Sequence, residues 1–303
     1  MLSSKLCVKI KIKVILLGRY AWHYIEEKRD MLMSKFEVLC VTMHQKDFSK
    51  IQEMNIHTDV VFANQADLTH FEEYNFENHR ARMITTNTRG VGINRNLALL
   101  YAQGEICLFA DDDVTYCDDM ESRVLSEFDA HPDADIIVFN LNAESDRNNK
   151  KYNKTKKRFW FSPMPWGTCR VAFRLNKVRK ANVWFTTLFG GGCVFPCGED
   201  SIWLTDVRKK GLTMYVSKET IGTVSFETSS WFTGYDEKYY FGKGAFYQAA
   251  RPKLLHLWMI YFFLRTMGRG NMSMVEKFKW MRLGAKGYRI NQGFAFFRDA
   301  QKL

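Results

Sequence analysis

No stretch of this chain stays apolar for the roughly 20 residues that a membrane-spanning helix requires. The best candidate, Leu254 to Leu264, reads as a helix that is either buried or interfacial. No secretory signal is apparent, and the seven cysteines are odd in number and scattered. The expectation is reduced thiols in a cytosol, not a disulfide framework. Cys193 and Cys197 stand near Gly190-Gly191-Gly192, but no second cysteine pair or neighbouring histidine completes a tetrahedral zinc set. They read as packing residues. Internal repeats and long low-complexity tracts are missing as well.

What is present suits a globular α/β protein. The 303 residues allow one large domain with a tail, or two modest domains. Hydrophobic residues make up 46% and charged residues 25%, enough for a real core. Aromatics reach 15% and concentrate after residue 158. The net charge of +11 either reflects a solvated Lys/Arg surface or favours anionic partners: nucleic acid, lipid headgroups or phosphorylated substrates. Near the start, Val8, Ile10, Ile12 and Val14 alternate with Lys9, Lys11 and Lys13, a basic amphipathic pattern or an accidental extension. Residues 1–35 are therefore read as an N-terminal extension, with a native start expected at Met31 or Met33.

Apolar runs predict strands at Phe36–Met43, Asp59–Ala63, Arg82–Thr86, Ile106–Ala110 and Ile136–Asn140. Helical spacing appears in Asp47–Asn55, Asn94–Gln103 and Asp118–Ala130, with Gly104 placed to end the second of these in a left-handed conformation. Continuously apolar strands alternating with helices predict a mainly parallel sheet covered on both faces. Ligands of such sheets bind beyond the carboxyl ends of the strands. Ser145 to Arg158, dense in Asn and Lys, reads as an exposed connection, followed by Pro163, Pro165 and an aromatic, basic stretch.

Two acidic clusters occupy informative places. Ile106–Ala110 runs directly into Asp111-Asp112-Asp113, at a strand end where carboxylates repel one another unless a cation offsets them. Hard oxygen ligands suit magnesium or manganese, which commonly take up substrate phosphates. Farther on, Gly190-Gly191-Gly192 and Gly198 precede Glu199-Asp200, with Ile202, Leu204 and Val207 on a buried helix face and Gly211 as its cap. Acids at a helix start satisfy capping and the macrodipole, which explains one of the two. A carboxylate held there also suits a general base acting on a hydroxyl, and the glycines suit a backbone passing close to a ligand.

The order of these motifs resembles family 2 glycosyltransferases. Asn87 to Ala98, with Ala102 and Gly104, looks like that family's glycine-containing loop and Arg-Asn helix start. Leu108 to Asp113 looks like its D-x-D segment, and Gly198-Glu199-Asp200 with Arg208 and Gly211 looks like its acceptor-side Glu-Asp motif. The resemblance covers about Phe36 to Tyr247. It implies a GT-A fold, a Rossmann-like mainly parallel sheet flanked by helices. The nucleotide-binding half would span 36–144, the acceptor-binding half 145–247, and a helical, aromatic-rich C-terminal tail 248–303. It further implies that Asp111 and Asp113 hold Mg or Mn at the donor diphosphate, with Asp112 near the donor's ribose or sugar. Asp200 would be the base that gives inversion, Glu199 would hold sugar hydroxyls, and Thr42 and Asn64 would line the nucleotide pocket. Arg95 would sit near the diphosphate or simply bond to its own loop. The implied enzyme moves a hexosyl or N-acetylhexosaminyl group from a UDP-sugar to a glycan or lipid-diphosphate-linked acceptor. Capsule or lipopolysaccharide synthesis is the expected setting, in the cytoplasm or at the inner face of the membrane.

Departures from the pattern limit the resemblance. Ile221 to Glu227 lacks the histidine that many relatives carry as a further metal ligand, and the Gln-x-x-Arg-Trp motif of processive synthases is missing, so single-sugar transfer is expected. The aromatic and basic tail, with Trp258, Phe262, Phe263, Arg265 and Arg269, either lies on an anionic membrane or is an ordinary core helix with solvated ends; Pro252 suits its first turn under both readings. Two rival readings remain at this point. A sugar-phosphate nucleotidyltransferase would carry a glycine-rich loop after its first strand, where this chain has Thr42-Met43-His44-Gln45-Lys46-Asp47. A basic nucleic-acid-binding protein would not need acids at strand and helix ends, and no recognition motif is visible.

Overall fold

The computed structural model describes residues 34–143, 151–158, 167–225 and 234–299. Met31, Met33, Pro163 and Pro165 lie outside the described residues, as do the rest of the N-terminal extension before Ser34 and the first half of the Asn- and Lys-rich connection. In chain order the elements are β1 (Phe36–Met43), α1 (Lys50–Glu53), β2 (Asp59–Gln65), β3 (His70–Phe76), β4 (His79–Thr86), α2 (Val91–Tyr101), β5 (Ile106–Asp111) and β6 (Val114–Tyr116). They continue with α3 (Met120–Ala130), β7 (Ile136–Ala143), β8 (Lys156–Lys157), β9 (Val171–Arg174), α4 (Leu175–Ala181), α5 (Glu199–Lys209) and β10 (Met214–Val224). Four helices follow: α6 (Glu237–Ala250), α7 (Leu255–Arg265), α8 (Met274–Ile290) and α9 (Phe294–Asp299).

The strands form one sheet in the order β3-β4-β2-β1-β5-β9-β7-β10-β6, with β8 on β10. β4, β2, β1 and β5 are parallel to one another, and β7 is parallel to β10. β9 runs antiparallel between β5 and β7, joining the two parallel blocks. Successive strand residues point to opposite faces. Val38, Cys40, Val60 and Phe62 therefore enter one core, with Val124 and Phe128 of α3. Leu39, Val41, Val61 and Ala63 enter the other, with Leu99 of α2, Val178 of α4 and Trp203 of α5. Burial on both faces is why β5 reads as an apolar run up to Asp111 and β1 as one broken only by Glu37 and Thr42.

A third core gathers Phe189, Phe195, Ile202, Tyr240, Phe241, Met259, Trp280 and Met281. It packs α6, α7 and α8 against α5. α6 and α8 meet backbone to backbone: a Cβ on Gly244 would lie 1.9 Å from the Met281 carbonyl oxygen, and one on Gly284 would lie 1.9 Å from that of Phe241. The division expected after Tyr247 falls inside α6, which runs on to Ala250.

Several local expectations change. Asp47–Asn55 contains only the single turn α1, and the helix expected at Asn94–Gln103 already starts at Val91. β3 was not anticipated; it is an edge strand whose residues are all exposed or partly exposed. Gly104 is not left-handed, since α2 stops at Ala102, which turns to an extended conformation. Glycine is needed at 104 because a Cβ there would sit 2.6 Å from that of Glu37. The Gly104 amide donates instead to the Glu37 carboxylate at 2.9 Å, as does that of Gln103 at 2.6 Å. Gly211 does take the positive φ expected after α5, at 83°.

Glu37 also receives a hydrogen bond from Arg82, and both side chains are buried. Removing one partner of a buried ion pair strands the other charge, at about 3–5 kcal/mol. Arg82→Ala is therefore expected to lower unfolding free energy by about that amount, read by urea denaturation, while an exposed pair such as Arg89–Asp67 loses no more than about 1 kcal/mol on the same substitution.

Candidate active site

The carboxyl ends of β1, β2, β4 and β5 form one edge, and side chains from several elements tie that edge together. Asn94, in the first turn of α2, donates to the carbonyls of Thr42 at 3.2 Å and Ala63 at 2.6 Å, clamping the ends of β1 and β2. Gln65 donates to the Gly90 carbonyl at 3.1 Å and holds the loop that opens α2. Asn64 is fully buried and serves as frame: it bonds both backbone groups of Gln45, at 3.0 and 2.8 Å, and the Thr85 hydroxyl at 3.1 Å. Its side chain fixes the loop after β1 from beneath.

The two acidic clusters meet at Arg95. This residue sits one turn into α2 with only 2% of its side chain exposed. Its Nη2 donates to Asp111 at 2.8 Å. Its Nη1 donates to Asp200 at 2.6 Å and approaches Glu199 at 3.5 Å. The guanidinium also lies over the Phe185 ring, 5.4 Å from the centroid. Burial opposes its charge, but Asp200, Asp111 and Glu199 outweigh that and hold its pKa above the ordinary value. Arg95 is thus a bridge between β5 and the start of α5.

Within the triplet, each acid is held differently. Asp111 keeps 31% of its side chain exposed beside its bond to Arg95. Asp112 accepts a hydrogen bond from the buried Thr42 hydroxyl at 2.5 Å, and its carbonyl accepts from Lys50 at 3.3 Å. Asp113 has a buried carboxylate oxygen, Oδ1, with no partner among the described residues. Burial, then the charges of Asp111 and Asp112, raise its carboxyl to about 6. The end of β10 lies alongside: the amide of Ser225, directly after it, donates to the Asp113 carbonyl at 3.0 Å.

Across Arg95, Asp200 accepts from the Thr168 hydroxyl at 2.8 Å and remains 22% exposed. Burial raises its carboxyl above the ordinary value, and Arg95 opposes the rise. Glu199 is more deeply set and bonds the Gly198 amide at 3.0 Å. Burial, then the Asp200 charge, lift it to about 7. Gly190 has φ of 105°, and a Cβ there would fall 2.9 Å from the Glu199 carboxyl carbon. The close approach that the glycines permit is therefore to Glu199 and to the loop before α2, where the Val91 amide bonds the Gly191 carbonyl at 3.0 Å.

Thr168 and Lys50 escaped the sequence reading. Lys50 carried a weak signal, as a cation in the segment after β1; Thr168 carried none, because its partner lies 32 residues away. Two surface recesses, of about 310 and 340 Å³, lie elsewhere; one is lined by Thr86, Asn96 and Trp184, the other by Lys253, His256 and Arg289. Among the described residues, no three His, Cys, Asp or Glu side chains converge into an all-protein metal cage.

Comparison with known proteins fits this arrangement. Residues 64–192 match the family model "Glycosyl transferase family 2", a span that includes Arg95 and the Asp triplet and stops before Glu199. No curated protein matches the chain significantly. Among solved structures, the fold is similar to that of S. aureus TarS 1-349 in complex with UDP-GlcNAc, at 13% identity and a TM-score of 0.53, covering 86% of this chain and 93% of that one. A second crystal structure of S. aureus TarS 1-349 is similar at 13% identity and a TM-score of 0.49, with the same coverage of 86% and 93%. At that identity the likeness concerns the fold alone. Residues 64–192 thus match a family 2 glycosyltransferase model, and they lie on a sheet whose fold is similar to that of TarS.

Proposed function

We propose that this glycosyltransferase uses a UDP-sugar and inverts the anomeric carbon, passing one hexosyl or N-acetylhexosaminyl group to an acceptor hydroxyl. The acceptor class is a glycan or a lipid-diphosphate-linked sugar, in surface-polysaccharide synthesis at the inner membrane face. The observation that carries this reading is the convergence of Asp111, Glu199 and Asp200 on one buried arginine. Sugar transfer needs stabilisation of a departing diphosphate at one end and a base for a hydroxyl at the other. The UDP-GlcNAc in the similar TarS structure supports a nucleotide-sugar donor of that kind.

Asp200 suits the base. It is oriented by Arg95 and Thr168 through one oxygen, Oδ1, and keeps part of its surface open to an incoming hydroxyl. Glu199, deeper and above its ordinary pKa, suits hydrogen bonding to sugar hydroxyls. Asp111 and Asp113 fit a divalent cation: Asp113 offers an unpartnered buried oxygen, and both present the hard donors that Mg or Mn prefers. Two carboxylates leave the remaining positions to water and diphosphate oxygens, the usual situation for magnesium. Bound there, the ion supplies Lewis-acid charge to the leaving group. Asp112, fixed by Thr42, stands beside the pair for the donor's ribose or sugar.

Asp200→Asn is expected to suppress transfer by about 10²–10⁴-fold, the usual worth of a general base, while calorimetric UDP binding stays near wild type. Transfer at the wild-type rate would reject the base assignment. Asp113→Ala is expected to weaken UDP binding in Mn and to abolish its sensitivity to chelator; binding that is unchanged with and without chelator in both proteins removes the metal assignment. A base must be ionised, so kcat/KM should fall as pH drops through the range of the Glu199–Asp200 pair. Burial raises both groups above the ordinary carboxylate range, Glu199 to about 7. A profile that stays flat down to pH 5 contradicts the pair's role.

A further inference from the structure

The surface charge of this chain is not evenly spread. From Lys238 to Arg298 there are twelve Lys and Arg residues and a single acid, Glu276. Elsewhere Lys and Arg balance Asp and Glu at 32 each, so this one stretch holds the whole net excess of +11. The helical unit α6 to α9 extends it by Glu237 and Asp299, so that the unit holds twelve Lys and Arg against three acids.

The same unit holds a helix that is apolar all round. On its inner side, α7 buries Met259 and Phe262 against Tyr239, Tyr240 and Tyr247. On its outer side, Leu257 is 65%, Ile260 48%, Tyr261 46% and Leu264 60% exposed. Leu254 before the helix and Met267 after it extend the stripe, at 50% and 61%. Such a helix is normally enclosed by protein or by lipid. At just eleven residues it is too short to cross a bilayer. Cations flank the stripe at both ends: Arg251 and Lys253 before it, Arg265 and Arg269 after it. Their described partners are neutral. Arg265 bonds the Tyr261 hydroxyl at 3.1 Å, Arg269 bonds that of Tyr235 at 2.6 Å, and Arg251 lies over the Trp258 ring. The positive charge is therefore not cancelled locally. Beside the first turn of α7, a recess of about 340 Å³ is lined by Gln248, Lys253, His256 and Arg289, donors that suit a phosphate group.

We infer that α7 lies in the plane of an anionic lipid bilayer, its outer stripe seated among the acyl chains and its flanking cations on headgroup phosphates. Apolar area gives the insertion and the unscreened cations select negatively charged lipid. This deepens the reading of a membrane-side acceptor and rests on it for its purpose, but the two fail separately, because lipid binding and UDP binding are measured apart.

The test is co-sedimentation of the full chain with vesicles of phosphatidylglycerol in phosphatidylcholine, and with phosphatidylcholine alone, alongside UDP calorimetry and light scattering. Wild type should pellet with the anionic vesicles and stay in solution with the neutral ones. Leu257→Glu/Leu264→Glu should lower the bound fraction about tenfold, and Arg265→Glu/Arg269→Glu should do likewise. Both variants change exposed residues, so UDP binding and melting temperature should hold. Equal pelleting of variant and wild type, or equal pelleting on neutral vesicles, overturns the inference. So does a wild-type dimer that Leu257→Glu/Leu264→Glu splits, since a second copy then covers the stripe.

Discussion

The guanidinium of Arg95 holds three carboxylates from two distant parts of the chain, Asp111 at the end of β5 and Glu199 and Asp200 at the start of α5. A pair of unit charges about 4 Å apart is worth about 4 kcal/mol at a typical effective dielectric near a protein surface, against a penalty of several kcal/mol for taking each ion out of water. The arrangement is therefore sustained by number and geometry: one cation satisfies several anions at short range. Negative charge still exceeds positive charge locally. Burial first, and then that excess of negative charge, raise Asp113 and Glu199, each carboxyl retaining its proton to a higher pH than it would in water.

What the sequence disclosed followed from how strongly each segment's surroundings constrain it. β1 and β5 are buried on both faces, and apolar runs marked them almost to the residue. β3 has no buried face, so nothing in its composition separates it from a loop; its partner β4 defines it through backbone pairing. Glycine was recognised at Gly104 and Gly211, but a glycine can serve conformation or clearance, and only the neighbouring Glu37 side chain decides which. The acidic clusters were visible because three adjacent aspartates and a Glu-Asp pair after glycines are locally unusual. Their junction was not visible. Arg95 reaches Asp200 across 105 positions, and no periodicity encodes a contact of that span. Thr42 and Asn64 were noticed by their place at strand ends. Their hydrogen bonds, to Asp112 and to Gln45 and Thr85, come from the third dimension alone.

The sheet itself explains why those distant pieces coincide. β9 enters antiparallel between β5 and β7, preceded by the turn that carries Thr168. That single reversed strand brings the later half of the chain back against the carboxyl end of β5. Thr168 arrives beside Asp200, and Trp203 of α5 packs on Phe109 of β5 at 5.3 Å between ring centroids. The aromatic contact anchors α5 one turn below its acids, so Glu199 and Asp200 are positioned by a packed hydrocarbon layer.

The joint between α6 and α8 extends this rigidity beyond the sheet. Where Gly244 and Gly284 let the two backbones touch, no intervening side chain can change rotamer and let the helices slide. Ile202 of α5 belongs to the same core, which gives the acids and the C-terminal helices a common skeleton. Because Ile202 lies within one turn of Asp200, a shift of the C-terminal helices would reach the start of α5 through packed side chains.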